Sequence, residues 1–371
     1  MNTTSFSHLQ FFIDSHDDYI SLFKKNGLKV ISNSKYNLMI VKNNYDNPLT
    51  FTDDSDYWKM YCRGAVIDTI TNKVIALPPV KAIEITLDDI TSNELLNNVN
   101  NDIYECQSLI DGTMINLFYH NEWIISTRSD IGGYNKWSDR KSFRKLFDES
   151  CNIEYDDLNK KCSYSFAMMH TDNRNISPIT YNDLYLVEIY SFENDIIHRL
   201  PHDSYTKNIF KQIDSTTDIN YYPSMFKNEQ AYYTKGFTIK IGDKRFKYIN
   251  PSFTFVKEIK LNYNNPCLTY LHLRQNSTLK LYLNYFPEHT IIFNDYRDKI
   301  HKLSNDLYST YKNVFIHKSI DKKDIPYHLN PLIYEIHKIY LKDKKPTTWT
   351  DIKNYIHGLP PKKLMFALNY S

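Results

Sequence analysis

The sequence predicts an α+β protein: an N-terminal domain of antiparallel sheets with helices (residues 1–255), then an all-helical C-terminal domain (256–371). Three observations predict it. Short β-branched and aromatic runs separated by Asn/Asp turns fill the first two-thirds of the chain. After about Pro251 the apolar residues recur at spacings of three and four instead of two. The charge divides at the same place. Residues 256–371 carry 18 Lys/Arg and 10 Asp/Glu, a balance of +8, against −6 for residues 1–255.

The predicted strands are Leu38–Val41, Ala65–Ile67, Val74–Leu77, Met114–Phe118, Trp123–Ser126, Leu184–Ile189, Phe237–Ile241 and Phe246–Ile249, with an alternating segment at Asp102–Gln107. Turns at Thr71-Asn72 and His120-Asn121 punctuate them. Asp139–Phe147 reads as a helix, because Phe143, Leu146 and Phe147 share one face. In the C-terminal domain, Ile291, Ile292, Tyr296, Ile300, Leu303, Leu307, Tyr311 and Val314 predict one long amphipathic helix. Leu332, Ile336, Ile339 and Tyr340 predict another. Thr350 is a candidate cap for a short helix ending near Gly358. Pro360 and Pro361 can start a last helix through Leu368.

Composition narrows the setting. The chain has 371 residues, with 31 Tyr and 8 Gly. Asn, Lys, Ile and Tyr dominate, the residues of A/T-rich codons, which points to an A/T-rich genome such as that of a large DNA virus, a phage or a parasite. The five cysteines (Cys62, Cys106, Cys151, Cys162, Cys267) have neither zinc spacing nor an even count, so a reducing compartment is expected. No signal-peptide pattern follows Met1, and no stretch approaches the roughly 18 apolar residues of a membrane span. The expected location is the host cytoplasm, or a virion, with no membrane partner.

The residues with chemical promise lie in the N-terminal domain. Ser108-Leu109-Ile110-Asp111-Gly112-Thr113 places an Asp-Gly turn between two strands. Upstream come Cys62-Arg63-Gly64 and then Pro78-Pro79-Val80-Lys81-Ala82-Ile83. Downstream are Ser126-Thr127-Arg128-Ser129-Asp130, Tyr164-Ser165-Phe166, Lys235-Gly236-Phe237-Thr238 and Phe246-Lys247-Tyr248-Ile249. Each also has an ordinary reading. Asp-Gly is a common hairpin turn. Arg63-Gly64 is a strand-and-turn pair, and Lys235 and Lys247 suit a solvated surface. His170 suits a structural role.

Taken in order, these segments resemble the covalent nucleotidyltransferases, the superfamily of RNA and DNA ligases and mRNA capping enzymes. The order over about Tyr36 to Pro251 is most similar to the tRNA-repair RNA ligases of T-even bacteriophages and their relatives in large DNA viruses. In that family the turn reads Lys-x-Asp-Gly, and its lysine attacks the α-phosphate of a nucleotide triphosphate, with metal ions and cationic side chains stabilising the phosphates. The resemblance implies that Arg63, Lys81, Asp111, Gly112, Arg128, Lys235 and Lys247 form the nucleotide or phosphate site. The departures fall on the machinery itself. Leu109 stands at the nucleophile's position, Ser165 and Lys235 stand where the family has carboxylates, and Ile249 replaces a second phosphate lysine. No metal ligand is therefore expected, and leucine cannot form a phosphoramidate.

Three functions follow as expectations. The first is an inactive, ligase-like protein that binds RNA ends or a nucleotide noncovalently, with ATP or GTP as ligand and no required cofactor. The second is an active nucleotidyltransferase in which Lys81 or Lys235 has become the nucleophile, the only case requiring Mg. The third is a structural subunit of a viral particle or RNA-processing complex, with protein partners; a pocket filled by Leu109, Met168 and Tyr248 would favour it. Lys299, Lys302, Lys312, Lys338 and Lys342, interleaved with Tyr308, Tyr311 and Tyr340, suit either RNA contact or a wet face of a helical bundle.

Overall fold

A computed structural model describes residues 6–44, 54–91, 104–136, 141–193, 196–202, 204–227 and 231–369. The chain divides into two compact units, Met1–Phe255 and Val256–Ser371.

The first unit is built on three sheets. One is the meander β1 (Leu28–Asn33), β2 (Leu38–Asn43), β3 (Arg63–Asp68) and β4 (Lys73–Ala76). The continuous apolar run in β2 has a simple cause: both faces of this sheet are covered. Met39 and Val41 join Phe6 and, from the N-terminal helices, Leu9, Ile13 and Phe23, whereas Leu38 and Ile40 join Val66, Phe118 and Ile124.

β5 (Ile83–Glu84) and β6 (Tyr104–Ser108) belong to a second sheet. The third sheet follows in the chain: β7 (Thr113–His120), β8 (Glu122–Ser126), β9 (Cys162–Met169), β10 (Asp183–Glu193), β11 (Ile196–Leu200) and β12 (Lys211–Gln212). Its order is β11-β10-β9-β7-β8, with β12 beside β10. β13 (Ser215–Thr216), β14 (Gly236–Ile241) and β15 (Lys244–Ile249) complete the second sheet in the order β13-β6-β14-β15-β5.

Alternation gives each of these two sheets one apolar face. Ile115, Leu117, Tyr164, Phe166 and Met168 of the third sheet bury against Leu146 and Phe147 of the helix Phe143–Ser150. Cys106, Phe237, Ile239 and Ile241 of the second bury against Tyr222 and Phe226. The opposite face of each carries a polar row: Asn116, Ser165 and Glu188 lie side by side on β7, β9 and β10, next to a smaller apolar cluster of Ala167, Tyr185 and Val187, and Gln107, Thr238 and Lys247 lie side by side on β6, β14 and β15. Glu188 joins the two polar faces, 3.6 Å from Lys240 Nζ and 3.5 Å from Arg245 Nη1.

Gly236 opens β14 with φ +142°, and a Cβ there would lie 2.1 Å from the Tyr248 carbonyl oxygen. Gly236→Ala is therefore expected to cost about 2 kcal/mol or more, read as a lower urea midpoint with unchanged slope.

The second unit is helical. Pro361–Asn369 packs on Pro266–Gln275, and Thr290–Tyr311 packs on Asn330–Asp343 and Trp349–Gly358. Four sequence expectations shift. The helix expected at Asp139–Phe147 begins at Phe143, because the Ser142 side chain caps Lys145 N; Asp139 itself lies outside the described residues. The long helix gives way at Lys312–Ile316 to a π turn, with His317 N donating to Lys312 O. Its apolar stripe starts at Phe293, since Ile291 is 84% exposed. The cap of the next-to-last helix is Thr348, not Thr350, in a reciprocal pair with Asp351. Among the described residues, no helix is long and apolar enough to cross a membrane.

Candidate functional site

The Asp-Gly turn is held from three directions. Leu109 N donates to Gly236 O at 2.9 Å, which ties it to the start of β14. Asp111 Oδ2 accepts from the backbone N–H groups of Ile176 and Ser177 at 2.8 and 2.9 Å. A Cβ at Gly112 would lie 2.7 Å from Met168 O, so only glycine allows this approach to β9. Lys235 completes the arrangement: its Nζ donates to Ile110 O at 3.2 Å and lies 3.6 Å from Asp111 Oδ1. The Lys235 ammonium thus balances the buried Asp111 carboxylate.

Ser165 is fully buried, its one hydroxyl hydrogen shared between Asn116 Oδ1 at 2.9 Å and Leu77 O at 3.2 Å. A neutral hydroxyl engaged in this way, with a cation at Lys235, does not fit a divalent metal. Glu149, His170 and Asp172 do bring three ligand-type atoms within 4.8 Å of one another. There, however, Lys141 Nζ already lies 2.6 Å from Glu149 and 2.9 Å from Asp172, and buried His170 accepts from Asp172 N. This cluster braces the turn after β9.

The cations gather from separate elements. Lys81 is half-buried on the segment between β4 and β5, its backbone N–H bonded to Met60 O. Burial first, then the positive charges of Arg63 and Lys247, lower its proton affinity. Arg63 begins β3. Lys247, on β15, is 3.0 Å from the exposed carboxylate of Glu84. Gly64, with φ +118°, brings β3 so close to the segment after β8 that a Cβ would be 3.0 Å from Arg128 Cα. The Arg128 backbone thereby lies against the start of β3, and its charge acts on Lys42. Asp130 serves its own turn, accepting from Asn135 N at 2.9 Å.

Sequence reasoning missed three groups. Lys42 pairs in register with Arg63 and donates to Ser129 Oγ at 2.6 Å; burial, Lys29 and Arg128 lower its pKa. Gln107 and Thr238 are neighbours in one cross-sheet row with Lys247. Both are buried, yet Gln107 Oε1 and Thr238 Oγ1 find no hydrogen-bond partner among the described residues. The signal available in the sequence was alternation: both polar residues stand in strands between residues of the apolar face.

Met168 belongs to the core of the third sheet and Tyr248 packs on that of the second, so they do not close one pocket over Leu109, which is half-buried. Tyr311 is buried and unavailable for stacking, and Lys299 pairs with Asp295 at 2.8 Å.

No known protein-family pattern matches the chain. In sequence it is similar to the immediate-early protein ICP-46 homolog of Invertebrate iridescent virus 3. The two are 23% identical over 276 residues, which cover 67% of this chain and 59% of that protein, so the chain spans about three-fifths of the length of that relative. In structure it is similar to a putative ATP-dependent DNA ligase from Aquifex aeolicus, with 14% identity, TM-score 0.42, and coverage of 81% of this chain and 76% of that one. It is also similar to an archaeal ATP-dependent RNA ligase, with 10% identity, TM-score 0.47, and coverage of 72% and 68%. A Naegleria gruberi RNA ligase mutant with AMP and Mn is similar over 47% of this chain and 56% of its own, with 14% identity and TM-score 0.35.

Proposed function

We propose that the first unit binds a nucleotide or the phosphorylated end of an RNA noncovalently, as an RNA-ligase-like protein that lacks the covalent step. The observation that carries this reading is the cross-sheet row of Lys247, Thr238 and Gln107, whose Thr238 Oγ1 and Gln107 Oε1 have no partner among the described residues, together with Lys81, which feels the charges of Lys247 and Arg63. The cations suit phosphate oxygens. The buried acceptor of Gln107 and the hydroxyl of Thr238 offer hydrogen bonds to a polar ligand. Leu109 leaves the turn's geometry intact but supplies no amine.

The full chain is expected to bind ATP, GTP or a 5′-phosphorylated oligoribonucleotide at low salt. Lys81→Ala and Arg63→Ala should each weaken binding about tenfold or more, the usual scale for a charge-assisted contact. For an oligoribonucleotide, each should also flatten the logarithmic salt dependence by about 0.7 per contact removed. Absence of binding to all three probes at low salt would defeat the proposal.

One observation favours a second reading. The lowered proton affinity of Lys81 leaves more neutral amine at a given pH, as a relocated nucleophile needs.

A further inference from the structure

Three cations stand in one register across the first sheet. Lys29 of β1 is directly opposite Lys42 of β2, and Lys42 is opposite Arg63 of β3. Like charges placed in this way destabilise a sheet. The second pairing needs a bulge. Val41 pairs with Ala65, so a regular register would set Gly64 against Lys42; the bulge passes over Gly64, whose φ is +118°, and brings Arg63 opposite instead. Other strand lysines of this unit have carboxylates beside them: Lys73 has Asp14 at 3.5 Å, Lys240 has Glu105 at 3.4 Å and Lys247 has Glu84 at 3.0 Å. The Lys29 and Lys42 ammonium groups pair with no carboxylate among the described residues. Lys29 is exposed, whereas Lys42 is half-buried and donates to a neutral partner, Ser129 Oγ. The charges that act on Lys42 are those of Lys29 and Arg128, both positive.

The row suits one kind of partner. It crosses three strands, about 10 Å of sheet, so its charge is drawn out along a line, as that of a phosphodiester backbone is. A lipid surface calls for apolar side chains exposed beside the cations. Here Ile31 and Ile40, the next residues on that face of β1 and β2, belong to the core with Leu38 and Val66. The row ends at Arg63, whose charge acts on Lys81 together with that of Lys247. One end therefore meets the proposed phosphate cleft. The other end, Lys29, lies at the edge of the sheet, since β1 is its outer strand.

We infer that Lys29, Lys42 and Arg63 form a track for the phosphodiester backbone of an RNA strand whose 5′-phosphate enters the cleft. The inference rests on the phosphate reading of that cleft and extends it from a nucleotide to a polynucleotide.

Fluorescence anisotropy on the full chain tests it with two probes, a 5′-phosphorylated oligoribonucleotide and labelled ATP. Lys29→Gln and Lys42→Gln are each expected to weaken the oligoribonucleotide about threefold to tenfold and to flatten its logarithmic salt dependence by about 0.7. Lys29→Gln should leave ATP affinity unchanged, and Lys29→Arg should retain full affinity for the strand. The urea midpoint should hold or rise in both Gln variants, because each removes a like-charge pair. Unchanged affinity and slope for the strand in both variants, with ATP binding still dependent on Lys81, would overturn the inference and leave the cleft reading standing. Weaker binding with a lower urea midpoint would make the row structural and overturn it as well. So would phosphatidylserine vesicles or a polyglutamate peptide that bound as tightly as the strand with the same dependence on Lys29. Failure of the cleft has its own signature: ATP would not bind, or would ignore Lys81→Ala, while the strand kept its dependence on Lys29, and the track would stand without the cleft.

Discussion

Glu188→Ala is expected to cost the first unit about 3–5 kcal/mol, the scale for removing one member of a buried ion pair. Glu188 is 2% exposed and faces Lys240 and Arg245 across the two polar sheet faces, while the Tyr190 hydroxyl donates to it at 2.5 Å. Without it, buried Lys240 retains only Glu105, at 3.4 Å, as a carboxylate partner. The two partners are not equivalent. Burial pushes the Glu188 carboxyl up, but Lys240, Arg245, Arg199 and the Tyr190 hydrogen bond together outweigh it and hold the pKa at about 2. Burial is also the largest influence on Lys240, and its two carboxylates do not recover the loss, so its pKa is lowered. The pocket thus favours the ionised carboxylate more than the ammonium. Lys240→Met is accordingly expected to cost less than Glu188→Ala, since it removes a buried ion and keeps the volume.

The acid limb gives a second readout. Glu188 has a folded pKa below its ordinary 4.5, so its contribution is fully present above pH 4.5 and is lost as pH falls toward about 2. Between those values the unfolded chain binds more protons, and stability must rise with pH. The depression of about 2.5 units corresponds to about 3 kcal/mol. Urea unfolding from pH 2 to 6 should show that slope in the wild type and a flatter one in Glu188→Gln. An unchanged acid limb would show that other carboxylates carry it.

This network was not legible in the sequence, and the reason is physical. Glu188 sits in a strand whose apolar run, Leu184–Val187, announces burial but not which charges will face it from another sheet. The partners are some 50 residues away, on β14 and β15. Local periodicity was more informative. The strands around Leu38, Met114 and Phe237 follow from alternation or double-sided burial, and the helical second unit follows from three-and-four spacing. Thr348 and Phe143 show where that reading slips: a terminus is fixed by which hydroxyl reaches a free N–H, a matter of one or two residues that periodicity does not resolve. The order of Arg63, Lys81, Asp111, Lys235 and Lys247 brought the candidate site into view. Tertiary structure alone showed that Lys235 turns to Asp111 whereas Lys81 joins Arg63 and Lys247.

That division of the cations leads to the expected outcome with labelled nucleotide. Incubation with ATP or GTP and Mg or Mn should leave no protein-bound label after denaturation, and Leu109→Lys alone should not create it. A lysine at position 109 would be anchored correctly, because its backbone N–H bonds to Gly236 O. Its amine would nevertheless enter beside Lys235, which lies on the carbonyl of the very next residue, Ile110. The like charge would lower its pKa and aid attack, but the same ammonium repels the cation that must offset the triphosphate's leaving charge. Ser165, neutral and committed to Asn116 and Leu77, offers that cation no carboxylate. Attack must form the nitrogen–phosphorus bond while breaking the α–β phosphoanhydride and releasing pyrophosphate, so lost stabilisation of the leaving group opposes the step even when the amine is neutral. Lys81 is subject to the same objection as the alternative nucleophile. A label that survives denaturation and disappears in Lys81→Ala but not in Lys247→Ala would refute the argument. It would mean that Arg63 and Lys247 together do for the leaving phosphates what a metal does elsewhere, with Lys81 doing the work that Leu109 cannot.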